Sequence, residues 1–179
     1  MYRLFVAIDL PEGIRETLAG LCCGIPDARW VTPEQLHLTL RFIGDTDGGL
    51  FGEIREALAE IAPPSFTMRL KGFGCFPPRK APRVLWVGIE QPNEPLLKLR
   101  NRVEATLVRL GMEPEHRKFA PHITLARLRE PPMHRLTNFL SGNNLFATET
   151  FPVTEFLLYS STLSTKGAIH TVEASYPLS

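Results

Sequence analysis

Cysteine is scarce in this chain, with Cys22, Cys23 and Cys75 the only three in 179 residues. Three thiols cannot build a disulfide framework, and adjacent Cys22 and Cys23 lack the Cβ placement a mutual bridge needs. All three read as small buried hydrophobes. No Cys-x-x-Cys or His-x-x-x-His spacing occurs, so a zinc site has no third ligand to offer. No run of about 18 apolar residues exists, which excludes a spanning helix. Net charge is nearly absent: 20 Lys and Arg stand against 19 Asp and Glu. Nucleic-acid binding by bulk charge is thereby excluded, although a local basic patch is not. Met1 to Leu10 lacks the basic start, apolar stretch and small-residue cleavage site of a secretory leader. A reducing cytoplasm is the expected compartment.

What is present is the material of one domain. The chain is 44% hydrophobic and 22% charged, a globular composition, and its length suits one core rather than two. Sixteen prolines and thirteen glycines imply many short elements. Strands are predicted over Tyr2–Ile8, Leu36–Ile43, Phe66–Phe73, Arg83–Ile89, Ile123–Leu128, Val153–Tyr159 and Ala168–Ala174, the last two as a hairpin, with Trp30–Val31 a short extended piece. Helical spacing runs from Ile14 to about Cys23, through Ile54, Leu58 and Ile61, from Leu96 to Leu110, and over Met133–Leu140. Strands outnumber helices and several are tightly joined, which predicts an α+β fold over a doubly wound parallel sheet. No composition shift marks a linker, no heptad repeat marks an oligomer, and a monomer is expected.

The informative feature is a pattern that occurs twice. His37-Leu38-Thr39-Leu40 stands in the first half of the chain and His122-Ile123-Thr124-Leu125 in the second. The polar, proline-containing break Glu90 to Pro95 lies between them. Alternation in a strand puts His37 and Thr39 on one face, with Leu38 and Leu40 on the other. His122 and Thr124 pair off in the same way. An imidazole titrates near pH 6.5, so one histidine can accept a proton while the other donates. Two threonine hydroxyls can hold the non-bridging oxygens of a phosphate between them. The chemistry this suits is phosphodiester cleavage without a metal. His116, His134 and His170 have no threonine at the matching offset and are set aside.

These residues and their flanks resemble the 2H phosphoesterase superfamily, named for its two His-x-Thr motifs. Within it they resemble the bacterial LigT-like RNA 2′,3′-cyclic phosphodiesterases, once described as 2′-5′ RNA ligases. The carrying segments are Arg3 to Pro11, Trp30-Val31 with Pro33 and Leu36 to Gly44, Pro82 to Gly88, and Phe119 to Arg127. The resemblance implies a single bilobal domain over residues 1–179. Its two pseudo-symmetric lobes each carry an antiparallel sheet and flanking helices, with the active-site cleft between them. It implies hydrolysis of a terminal 2′,3′-cyclic phosphate on RNA to a 2′-phosphate, with no cofactor and no metal. His37 would be the general acid and His122 the general base. Thr39 and Thr124 would hold the phosphate, with Phe42 and Arg127 near the nucleotide. The partners are RNA ends with a cyclic phosphate, tRNA fragments being one candidate, and no membrane is involved. Ligation to a 2′-5′ bond at the same site, and a non-catalytic RNA or nucleotide-binding module, are the alternatives.

Phe42 and Arg127 each stand five positions after a motif histidine. In a regular strand that odd offset turns them to the opposite face, so a bulge, a bend or a strand end is needed for either to reach the cleft. Arg79, Lys80 and Arg83 form a basic cluster in a proline-rich loop, read either as a solvated surface or as an arm tracking RNA phosphates. Phe73 and Phe76 flank the start of that loop, read as Gly74 to Pro82, as candidate base-stacking residues. Tyr159 and Ser160 are candidates to line the cleft.

Overall fold

The computed structural model describes residues 1–78 and 80–179, so Arg79 of the basic cluster lies outside the described residues. The first half runs β1 (Tyr2–Asp9), α1 (Glu12–Ala19), β2 (Arg29–Trp30), a 3-10 turn at Pro33–Gln35, β3 (His37–Thr46) and α2 (Gly48–Leu58). It continues through β4 (Phe66–Met68), β5 (Leu70–Phe76) and β6 (Val84–Ile89). The second half adds α3 (Glu94–Arg109), β7 (His122–Arg127), α4 (Met133–Gly142), β8 (Phe151–Val153), β9 (Glu155–Ser164) and β10 (Gly167–Pro177). Every strand pair is antiparallel. The main sheet has the order β10-β9-β1-β3-β7-β6-β5, with β2 also on β7, and β4 pairs β8 in a small second sheet.

The two lobes are the two ends of this sheet. They meet where β3 and β7 pair at a single position, Leu38 opposite Ile123. Both side chains are fully buried. The expected antiparallel sheets, one per lobe, are joined through that single ladder position, where the motif strands touch. One core underlies it: Leu4, Val6 and Ile8 of β1, Leu85 and Val87 of β6, and the apolar stripes of the helices, such as Ile14 and Leu18 of α1 and Leu96, Leu99 and Val103 of α3. Asp47 and Asn93 cap α2 and α3, their side chains accepting from the Leu50 and Leu96 N–H groups, as short polar residues do at helix starts. Among the described residues no helix is long and apolar enough to cross a membrane.

Three local expectations are corrected. The helical spacing of α1 extends to Cys23, but the helix stops at Ala19. Leu21 and Cys22 follow in tight turns, donating to the carbonyls of Leu18 and Ala19, and Cys23 is exposed while Cys75 is buried. The strand predicted over Phe66–Phe73 breaks at Arg69 into β4 and β5. Gly74, read as the start of a loop, lies inside β5 opposite Trp86. The Trp86 indole packs against it so closely that a Cβ there would clash with the ring. That glycine is room for an aromatic plane, not a turn signal.

Candidate active site

The burial of the two motif strands follows one pattern. From His37 and from His122 alike, it runs half-buried, buried, half-buried, buried, buried, exposed. Two adjacent buried residues break the alternation, and the register explains why. Ala7 lies opposite Thr39 while Val6 lies opposite Arg41, so Leu40 is an extra, bulged residue. Trp86 lies opposite Thr124 while Leu85 lies opposite Ala126, so Leu125 is bulged as well. Each bulge falls on the fourth residue of its motif and reverses the faces beyond it. Phe42 therefore sits opposite Phe5, on the face of His37, and Arg127 sits opposite Val84, on the face of Thr124. The odd offset is absorbed by one residue in each strand.

The same bulge sends Arg41 inward. Its Nε donates to Glu104 at 2.6 Å, and its terminal nitrogens donate to the carbonyls of Phe42 and Glu113. Burial works to raise the Glu104 pKa, but the Arg41 hydrogen bond, the Glu115 N–H and the charges of Arg41 and Arg100 outweigh it, and the carboxyl is held below its ordinary value.

Both histidines are oriented alike. His37 Nδ1–H donates to the Gln35 carbonyl and His122 Nδ1–H to the Ala120 carbonyl, each at 2.7 Å. A carbonyl two residues upstream thus fixes the tautomer and leaves Nε2 as the proton-exchanging atom. His37 Nε2 lies 3.1 Å from the Thr39 hydroxyl, which donates to it in the neutral ring. Extending the Leu38–Ile123 register by one residue each way sets His37 opposite Thr124 and Thr39 opposite His122. The histidines are then diagonal neighbours across the pair, and the His122 charge acts on His37.

The walls of the two lobes differ. His37 packs against Phe5 at 5.0 Å between ring centroids, and Phe5 stacks on Tyr159 at 5.1 Å. His170, set aside on sequence grounds, reaches His37 edge-on at 5.3 Å. The hairpin of β9 and β10 brings it there, and no short-range sequence signal encodes that contact. Burial, aided by the positive ends of His170, Arg15 and His122 and opposed by the Gln35 carbonyl, lowers the His37 pKa from 6.5 to about 4. His122 instead meets Phe76 at 5.0 Å and Trp86 at 6.2 Å. Phe42 is 45% exposed with the Arg3 guanidinium over its ring, and Arg127 is exposed at the end of β7. Phe73 turns to the core side, against Phe139 and Phe146. Of the basic loop, Lys80 and Arg83 are exposed, and the Arg83 backbone ties Phe76 to Leu128. Ser160 is buried, donating to Glu173. Among the described residues, no three His, Cys, Asp or Glu side chains converge as metal ligands would.

The duplication seen in the motifs has a counterpart in known proteins. The sequence pattern described as LigT like Phosphoesterase matches residues 8–86 and again residues 87–170, once for each motif. A Thermotoga maritima protein named RNA 2′,3′-cyclic phosphodiesterase is 34% identical over 181 residues, covering 95% of this chain and 92% of that protein. An Escherichia coli protein of the same name is 34% identical over 165 residues, covering 90% and 88%. The crystal structure of E. coli LigT complexed with 3′-AMP superposes with a TM-score of 0.78 at 31% identity, covering 99% of this chain and 98% of that one. Matched in both halves and along nearly its whole length, this chain belongs to the LigT-like phosphoesterase family.

Proposed function

We propose that this protein hydrolyses the terminal 2′,3′-cyclic phosphate of RNA to a 2′-phosphate, without a metal, in one bilobal domain that acts as a monomer. The observation that carries the reading is the pair of identically bulged His-x-Thr strands, meeting at one ladder position with both Nε2 atoms freed by Nδ1–H bonds to carbonyls. The names borne by the relatives support the same activity. Thr39 and Thr124 donate to the non-bridging oxygens. His122 takes a proton from water as the water oxygen bonds to phosphorus. The phosphorus–O3′ bond breaks, and His37 gives its proton to the leaving oxygen. His37 ends neutral and His122 charged, and solvent resets both. Water fills an open cleft, so hydrolysis outruns 2′-5′ ligation unless a second RNA end is held in place.

The direct test is an oligoribonucleotide ending in 2′,3′-cyclic phosphate, incubated with enzyme in EDTA. The expected product is a 2′-phosphate, identified by mobility and phosphatase sensitivity. Turnover that vanishes with chelation and returns with zinc or magnesium would overturn the metal-free mechanism.

A pKa of about 4 leaves His37 neutral in the free protein at neutral pH, whereas the acid role needs it charged. A bound anion supplies the missing charge, since a negative neighbour favours imidazolium. Sulfate does not titrate in this range. Its binding near pH 6 is expected to take up a proton, measurable by calorimetry in buffers of different ionisation enthalpy, and its affinity should fall as pH rises. Affinity independent of pH would contradict this. The same shift makes the free fold bind fewer protons at His37 than the unfolded chain does between about 4 and 6.5, so His37 makes stability rise with pH across that window.

Arg127, brought to the cleft face by the bulge at Leu125, contacts the anionic substrate in this reading. Charge-assisted hydrogen bonds are worth about 1.5–3 kcal/mol, so Arg127→Ala is expected to lower kcat/KM roughly tenfold to a hundredfold, mostly through KM. Unchanged kinetics would remove Arg127 from the site.

A further inference from the structure

The pseudo-symmetric halves each have a hollow at the same place: where the strand beside the motif strand ends, a helix begins and the segment leading into the motif histidine closes the wall. In the first lobe the hollow lies by Asp9, α1 and Pro33-Glu34, measures about 520 Å³, and carries Asp9, Glu12, Glu16 and Glu34 against the single cation Arg15. In the second it lies by Gly88, α3 and Lys118 to Pro121, and measures about 880 Å³. There Lys71, Arg100 and Lys118 outnumber Glu94, and Trp86 and Phe119 supply aromatic wall. The second hollow is continuous with the catalytic face. Trp86 lies opposite Thr124 and Gly88 opposite His122, and the Trp86 ring is 6.2 Å from that of His122. Gly74 has no side chain, and the Trp86 indole occupies the space a Cβ there would need. Arg100 packs over Phe119 at 5.3 Å, while Lys71 and Lys118 are exposed.

We propose that the RNA strand 5′ of the cyclic phosphate leaves the site over the second lobe, with the penultimate base stacked on Trp86 and its phosphates facing Lys71 and Lys118. This rests on the reading of the site as an RNA cyclic phosphodiesterase and names the path of its polymer. A polyanion is repelled from the acidic hollow of the first lobe and attracted to the cationic one. The Trp86 indole is half-buried and lines the hollow, and an indole face stacks on any base, so the subsite favours chain length over sequence.

The test compares kcat/KM for a short oligoribonucleotide 2′,3′-cyclic phosphate with that for adenosine 2′,3′-cyclic phosphate, which has no penultimate base. The wild-type protein is expected to prefer the oligonucleotide. Stacking of about 1–3 kcal/mol per base means that Trp86→Ala should reduce the preference roughly 5- to 150-fold. The double variant Lys71→Glu/Lys118→Glu changes exposed residues only and should reduce the preference and flatten its dependence on salt. If Trp86→Ala fails to fold, the charge-reversal variant decides alone. A preference that survives the variants overturns the proposed path while leaving the hydrolase reading intact. Hydrolysis of neither substrate by the wild-type protein overturns that reading and the path with it.

Discussion

His37→Ala and His122→Ala are each expected to lower kcat by roughly 10²–10⁴-fold, the usual worth of one positioned proton transfer, while the protein stays folded. Both residues are only partly buried, so neither is a core side chain. Water is a poor nucleophile and a ribose alkoxide a poor leaving group, so both transfers matter. Because they act on one event, the double variant should lose less than the product of the single losses. The pH profile of kcat/KM should be bell-shaped, since one histidine must be charged and the other neutral. A profile alone does not say which histidine is the acid, because the two titrate as a pair about the phosphate. The leaving group does. With a nitrophenolate leaving group no proton need be donated, so His37→Ala should lose little while His122→Ala loses as much as before. If His37→Ala stayed as damaging as His122→Ala on that substrate, the acid role would not belong to His37.

The largest expected effect on stability is at Arg41, a residue outside the proposed chemistry. It is 9% exposed, and its guanidinium is satisfied by Glu104 and two backbone carbonyls. Arg41→Met keeps much of the volume but leaves Glu104 with a partly buried charge whose main partner is gone. Removing one member of a buried pair costs about 3–5 kcal/mol, which urea denaturation would read as a lower midpoint. Adding Glu104→Leu should restore part of that loss, since the unpaired charge disappears. The pair also has a pH signature. Glu104 titrates below its ordinary value, so its contribution is complete above the unfolded carboxyl pKa and is lost as pH falls through the lowered folded one. A midpoint shift of less than about 1 kcal/mol would show that the pair contributes no more than a surface one does.

Arg41 also marks where sequence and tertiary structure part. The two His-x-Thr copies, their strands, the α+β class and the family resemblance were all legible in the chain, because each is local: a two-residue period, a helical stripe, a motif and its flanks. The period of two also makes a definite forecast past the motif. It puts Arg41 and Ala126 in the cleft beside the histidines, and Phe42 and Arg127 behind the sheet. Tertiary structure reverses all four, because Val6 pairs with Arg41 and Leu85 with Ala126, which leaves Leu40 and Leu125 without partners of their own. A bulge is a property of two strands, and neither β1 nor β6 is near its partner in sequence. The contact of His170 with His37 likewise depends on strands far apart in the chain. The sequence by itself determined that two imidazoles and two hydroxyls recur at matching strand positions, one pair in each half. The pairing of distant strands decided which further side chains stand beside them.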